Sequence, residues 1–422
     1  MTTKINNEHN KLNFSSEREQ SQACLNSAEH EKNQGRKVLN VPNLRFPEFS
    51  GEWEKSTLGD ISEFSKDRLN SKELSCDNYV ATENMLQDYQ GIVAASNIPS
   101  STNVIKFSKG DVLLSNIRPY LKKVWYADRD GGCSADVFVF KALAVCNSDF
   151  LHYIIANDRF INFAMSGAKG VKMPRGDKEQ MKTYKIGLPS KEEQGKIADL
   201  LRLLDERIAT QNKIIDKLQS LIKGINQRIF MNNGINYKLG EISEIRSGYS
   251  GNQLLSKKGL KVSRIETISG HKVNMERVGY VAPFESSDNY RLRVGDILFS
   301  NINSVEYIGN TAFIDKDYDL YHGMNLLRLI PNNMVVIPFY LYLLLNTNRM
   351  LNRFKTVCNK AVSQASINQT ELGKTVVQIP DINAQKQICE LYQALYDKLD
   401  SEKYANSLFQ KQKQYLLRQM FI

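Results

Sequence analysis

A chain of 422 residues is longer than one ordinary core supports, so two or three domains are expected. Hydrophobic residues make up 41% and charged residues 24%, which excludes fibrous and wholly disordered classes. The formal net charge of +10 points toward a polyanionic partner such as nucleic acid or an anionic surface.

Residues 1–40 are rich in Asn, Glu, Gln, Ser and Lys and lack paired apolar positions, so a disordered N-terminal extension is expected there. That segment also lacks a basic stretch followed by an apolar one, so no export signal is expected. The longest apolar run, Ile337 to Leu345, is far shorter than the roughly 20 residues of a spanning helix and contains Pro338 and two tyrosines. A membrane protein is not expected.

From residue 41 onward the second half of the chain re-reads the first. Leu58-Gly59-Asp60-Ile61-Ser62-Glu63-Phe64 returns as Leu239-Gly240-Glu241-Ile242-Ser243-Glu244-Ile245. Gly110-Asp111-Val112-Leu113-Leu114-Ser115-Asn116-Ile117 returns as Gly295-Asp296-Ile297-Leu298-Phe299-Ser300-Asn301-Ile302. Leu188-Pro189 with Glu193-Gln194 and Ile197 returns as Ile379-Pro380 with Ala384-Gln385 and Ile388. The displacement drifts slowly, which means small loop insertions within a duplicated domain rather than a solenoid.

Each copy opens with a mixed globule, over 41–189 and again over 233–380. Short runs such as Val104–Phe107, Val137–Phe140 and Leu326–Leu329 predict strands with alternating faces. The Gly-Asp pairs before Val112 and Ile297 predict turns. One helix per copy is expected, around Phe150–Phe163 and Pro338–Phe354.

A long helix follows each globule, over 190–232 and 381–422. The first opens after Pro189-Ser190, with Ser190 as N-cap and Glu192 and Glu193 in the first turn. Ile197, Leu201, Leu204, Ile208, Gln211, Ile215, Leu218, Ile222, Ile225 and Ile229 alternate spacings of four and three, the signature of a coiled-coil seam. The matching positions of the second helix begin Ile388, Tyr392, Leu395, Leu399 and Glu402, so Gln211 and Glu402 are expected to form a polar layer. A strict heptad stripe needs a helical partner, and the chain supplies one itself, which favours antiparallel pairing over two surface helices folded onto their own domains. A helix of about 40 residues spans roughly 60 Å.

Catalytic signatures fail one by one. Gly373-Lys374-Thr375 lacks the glycine that a phosphate-binding loop needs at Asn368. Gly248 and Gly251 make no dinucleotide fingerprint, and neither a G-x-S-x-G elbow nor a Pro-Pro pair of an adenine methyltransferase is present. Glu83, Asp111, Asp136, Glu266 and Asp296 could in principle build a metal nuclease site, but the Gly-Asp pairs read better as turns. The cysteines (Cys24, Cys76, Cys133, Cys146, Cys358, Cys389) and histidines (His9, His30, His152, His271, His322) are scattered, so neither metal nor disulfide is expected and a reduced, cytoplasmic setting is the simplest reading.

What remains is loop chemistry suited to DNA. The first copy offers Ser115, Asn116, Arg118, Tyr120, Lys122 and Lys123 after a strand, then Lys169, Lys172, Arg175 and Lys178 in a later loop. The second offers Ser300, Asn301, Asn303 and Tyr307, then Lys360, Ser363, Gln364, Ser366, Asn368 and Gln369. Arg and Lys suit phosphate and guanine, whereas Asn and Gln suit adenine.

These residues carry a family resemblance. The entry Val41-Pro42-Asn43-Leu44-Arg45-Phe46-Pro47-Glu48-Phe49 with Trp53, the paired Gly-Asp-hydrophobic-Ser-Asn strands, and the Pro-x-x-x-Glu/Ala-Gln-x-x-Ile helix openings resemble specificity subunits of type I restriction-modification enzymes. The resemblance implies an α+β fold of two tandem homologous target recognition domains separated by two long helices, which form an antiparallel coiled coil within a pseudo-twofold internal repeat. It further implies that each domain reads one half of a bipartite site in double-stranded DNA. The helices would dock two DNA methyltransferase subunits carrying S-adenosylmethionine, and restriction motor-nuclease subunits using ATP and Mg2+ would join. The chain alone would be non-catalytic and bind no cofactor. The alternative is a coiled-coil scaffold without DNA-reading role, which predicts no salt-dependent DNA binding.

Overall fold

The computed structural model of the protein describes residues 40–170, 172–230, 234–360 and 364–422. Apart from Asn40, the extension expected over residues 1–40 lies outside the described residues. Two compact units divide the chain, one comprising residues up to Leu203 with Lys413–Ile422, the other Leu204–Gln412.

The first unit contains β1 (Glu54–Thr57), α1 (Leu58–Ile61), β2 (Ser62–Phe64), β3 (Arg68–Asn70), β4 (Tyr79–Val80), β5 (Asn103–Phe107), β6 (Val112–Ser115) and β7 (Val124–Tyr126). Then come β8 (Gly131–Cys133), β9 (Val137–Ala142), α2 (Ser148–Ile155), α3 (Asp158–Ser166), α4 (Lys178–Lys182), β10 (Lys185–Leu188) and the start of α5 (Lys191–Ile229). An antiparallel sheet in the order β2-β9-β6-β7 lies at its centre. Through Leu113, Val137 and Val139 one face packs on Val80, Phe107 and Cys133 of a second sheet, β3-β5-β8-β4. On the other face Phe140 meets Phe160 of α3 edge-on. Val137 to Phe140 are therefore all buried, and the alternation expected from the sequence gives way to an uninterrupted apolar strand, because a strand covered on both sides has no solvent face.

The second unit repeats the central sheet of this plan. After the end of α5 it contains β11 (Ile235–Lys238), α6 (Leu239–Ile242), β12 (Ser243–Ser247), β13 (Leu260–Val262), β14 (Gly279–Val281), β15 (Ile297–Ser300), β16 (Ile302–Asn303), β17 (Thr311–Phe313) and β18 (Leu326–Pro331). It continues through α7 (Pro338–Leu345), α8 (Asn348–Val357), β19 (Asn359–Lys360), β20 (Ala365–Ser366), α9 (Gln369–Gly373) and β21 (Val376–Ile379) into α10 (Ile382–Gln419). The central order β12-β18-β15-β17 matches β2-β9-β6-β7, while the four-stranded sheet beside it is replaced by the two-stranded β13-β14 and the three-stranded β16-β20-β19. Register is shared too: Ser115 faces Val137 as Ser300 faces Leu326. One core substitution stands out, since Arg328 occupies the place of Val139 and pairs with Asp296 at 2.6 Å, both side chains being almost fully enclosed.

The Gly-Asp pairs close turns in both copies. Gly110 and Gly295 adopt φ of +91° and +97°, open to glycine at no steric cost. The carboxylates of Asp111 and Asp296 accept from the backbone amides of Ser108 (2.8 Å) and Arg293 (2.7 Å). The single helix expected in each copy is two. Asn157 Oδ1 accepts from Arg159 N at 3.0 Å and Thr347 Oγ1 from Met350 N at 3.3 Å, and each cap starts a new helix where one was expected to continue.

A buried glutamine fastens each long helix to its globule. Gln194 accepts from Asn147 N at 2.7 Å and donates to the carbonyls of Val145 (3.1 Å) and Pro189 (3.0 Å). Gln385 does the same with Ile337 N (2.8 Å), Val335 O (3.1 Å) and Pro380 O (2.9 Å). Ser190 caps α5 as expected, its Oγ accepting from Glu193 N. In the first unit, Ile197 and Leu201 of the seam are buried. Arg45 and the indole of Trp53 both donate to the enclosed Glu193 carboxylate, an anchor for the entering chain that Ala384 cannot offer in the second copy.

Within the second unit α5 and α10 pair antiparallel. Ile215, Leu218 and Ile222 share a core with Tyr392, Leu395 and Leu399. Arg207 lies over Phe409, Gln211 donates to Glu402, and Asn226 accepts from Tyr392, so partner numbers fall on one helix as they rise on the other. The off-seam Ile214 and Leu221 are exposed. The polar layer expected at Gln211 and Glu402 is present; Lys398 and Gln211 together hold the Glu402 carboxyl below its ordinary range.

Candidate nucleic-acid interface

Far apart in sequence, the two candidate segments of the first copy meet in space. Beyond the end of β6, Ile117 forms a β-bridge with Arg175, which bridges in turn to Lys169. Arg118 N donates to Pro174 O at 2.8 Å, and Gly176 N to Asn116 O at 3.3 Å. The second copy builds the same patch as a small sheet in the order β16-β20-β19, with Ile302 opposite Ser366 and Lys360 opposite Ala365. Ile367 N closes it by donating to Asn301 O at 2.9 Å.

Not every candidate faces outward. Ser115 and Ser300 are fully enclosed: Ser115 Oγ donates to Ile117 O at 3.0 Å, and Ser300 Oγ accepts from Asn303 Nδ2 at 3.0 Å. Their hydroxyls shape the turn out of the central strand and are not presented at the surface. Asn116 and Asn301 are half-buried, and in both the side-chain oxygen is enclosed without a hydrogen-bond partner. Asn368 caps α9, its Oδ1 accepting from Glu371 N at 2.8 Å, while Gln369 donates to Ile245 O at 2.7 Å. Ser363 lies outside the described residues.

The outward set is smaller. Tyr120 and Tyr307, each 49% exposed, stand at equivalent places four residues before β7 and β17. Lys172, Lys360 and Gln364 are exposed, and Ser366 is half-buried. Arg118, half-buried with φ of +51°, starts a short 3-10 turn. Lys178 lies over the rings of Phe64 and Phe138, and Lys123 donates to Thr82 O at 2.6 Å.

Carboxylates that the sequence reading did not connect to these cations hold three of them. Lys122 meets Asp158 at 2.9 Å, Lys169 meets Asp177 at 2.8 Å, and Arg175 meets Asp136 at 3.2 Å. Asp136, considered from sequence as a metal ligand, is thus a guanidinium partner. Its one local signal is its place immediately before β9. Among the described residues no group of three His, Cys, Asp or Glu side chains could hold a metal ion, and no helix is long and apolar enough to cross a membrane.

A duplicated α+β globule, each copy carrying one polar and basic patch and fastened to a long helix, defines a class of two-domain reader. The family model of the type I restriction modification DNA specificity domain matches residues 50–220 and 234–407. The type I restriction enzyme MjaVIII specificity subunit of Methanocaldococcus jannaschii is 24% identical over 419 residues, covering 89% of this chain and 92% of that protein. The MjaX specificity subunit of the same organism is 44% identical over 150 residues, a match that spans only 35% of either chain. Among solved structures, the type I restriction-modification S subunit from M. genitalium is similar in fold, with a TM-score of 0.59 and 18% identity over 90% of this chain and 99% of that one. The chain belongs to the type I restriction-modification DNA specificity family, as a specificity subunit with two recognition domains.

Proposed function

We propose that each recognition domain reads one half of a bipartite site in double-stranded DNA through its patch, with the paired helices serving as the spacer between halves. The observation that carries this reading is the recurrence of one patch geometry, Ile117 opposite Arg175 and Ile302 opposite Ser366, on two copies of one scaffold. Such duplication suits a target read in two parts, as half-site spacing suits dimeric readers. The off-seam Leu203, Ile214 and Leu221 of α5, and Tyr404 and Leu408 of α10, give the helices exposed apolar contacts for two methyltransferase subunits. Those partners would carry S-adenosylmethionine, and motor-nuclease subunits would use ATP and Mg2+. The chain itself would perform no reaction and would work in the cytoplasm, beside the DNA. A scaffold without DNA-reading role gains nothing from the family match.

The test is to co-express the chain with a cognate methyltransferase subunit and map methylated adenines across the host DNA. A two-part motif is expected, and exchanging residues 47–189 should change one part alone. A motif that stays whole after the exchange would refute the division of labour.

A further inference from the structure

We propose that Arg175, held by Asp136, is a base-reading side chain of the first recognition domain and that the base it reads is guanine; the proposal rests on the reading that this patch meets DNA. Its main chain is fixed first. Arg175 N donates to Lys169 O and its own carbonyl accepts from Lys169 N, both at 2.9 Å, and Arg175 also bridges to Ile117. The guanidinium is paired next, with the Asp136 carboxylate at 3.2 Å. Asp136 is itself anchored, since its carbonyl accepts from Asn116 N at 2.8 Å. Even so, the arginine side chain stays 55% exposed and so accessible to a ligand.

That arrangement suits a base better than a phosphate. A guanidinium already neutralised by a carboxylate gains little from displacing counterions, the main source of phosphate affinity. What it keeps is a directional fork of donors, biased in direction by its carboxylate partner, and guanine alone presents O6 and N7 as paired acceptors in the major groove. Lys172 is the contrasting case: it is exposed, with no carboxylate in ion-pair range among the described residues, and fits a phosphate contact. The second domain has Ser366 at the position of Arg175 and Asn325 at that of Asp136, just before β18, so its half-site is read by different chemistry.

The test uses the assembled complex of this chain with its methyltransferase subunits. The wild-type motif and the exchange of residues 47–189 first identify the half read by the first domain. Arg175→Ala and Asp136→Asn are then assayed on duplexes carrying each of the four bases at every guanine of that half. Both should lose preference for guanine at the same position, about 10- to 100-fold, with the other half unchanged; the salt dependence should stay unchanged in Arg175→Ala and steepen in Asp136→Asn, where the guanidinium is no longer neutralised. Lys172→Ala should instead weaken all duplexes alike and lower the salt slope by about 1. A half-site without guanine overturns the proposal, as does an Arg175→Ala complex that keeps every base preference or weakens all duplexes alike. Should Arg175→Ala not fold, Asp136→Asn decides by the same criterion. A wild-type complex yielding no two-part motif overturns the proposed function and this assignment together, whereas an intact motif with an indifferent Arg175 overturns only the assignment.

Discussion

In the first recognition domain a buried glutamine, Gln194, grips three main-chain groups, and in the second Gln385 grips the same three. On the patch, by contrast, Arg175 stands where the second domain has Ser366, and Asp136 where it has Asn325. The two copies thus coincide in the glutamine fastening and differ at these two patch positions, although the outward Tyr120 and Tyr307 coincide and the Glu193 anchor has no counterpart at Ala384. Inside the sheet the sharpest exception is Arg328, paired with Asp296, in place of Val139, and divergence also reaches the buried Val124 and Trp125, replaced by Thr311 and Ala312.

That contrast can be broken most severely at the exception. Arg328→Val makes the second domain resemble the first but leaves the buried Asp296 carboxylate with the Arg293 amide and no counter-charge, and should destabilise the protein by about 3 kcal/mol in chemical denaturation. A negligible change would mean that the ion pair is no real difference between the copies. Next in size, Gln194→Ala and Gln385→Ala should each cost about 1–3 kcal/mol by leaving the same buried groups unpaired. Clearly unequal costs would show that the two fastenings are not equivalent. The smallest expected effect is at the seam. Replacing Gln211 and Glu402 together by Leu should raise the denaturation midpoint slightly while loosening register, visible as mixed oligomers in sedimentation. An unaltered midpoint with a single species would remove the polar layer from any role in pairing.

Periodic features were legible before any coordinates. The duplicated motifs, the seam from Ile197 to Ile229 and the Gly-Asp turns are written in local spacing, which the backbone obeys directly. The helix breaks were not, because Asn157 and Thr347 look like ordinary polar residues on an amphipathic face until their side chains are seen capping. The patch was legible only as two separate segments, since nothing local tells Ile117 that Arg175 is its neighbour. Ser115 and Ser300 read in sequence as the start of a polar loop after a strand, yet a residue at the end of a strand buried on both faces turns inward whatever its polarity.

The socket around Gln194 is made wholly of main-chain groups: one amide and two carbonyls. Every amino acid supplies carbonyls, and every one but proline supplies the amide. Mutations in the surrounding loop can therefore accumulate without loosening the joint, provided the glutamine stays. A lineage of such proteins could drift freely in what it recognises while inheriting intact the means of holding the recogniser.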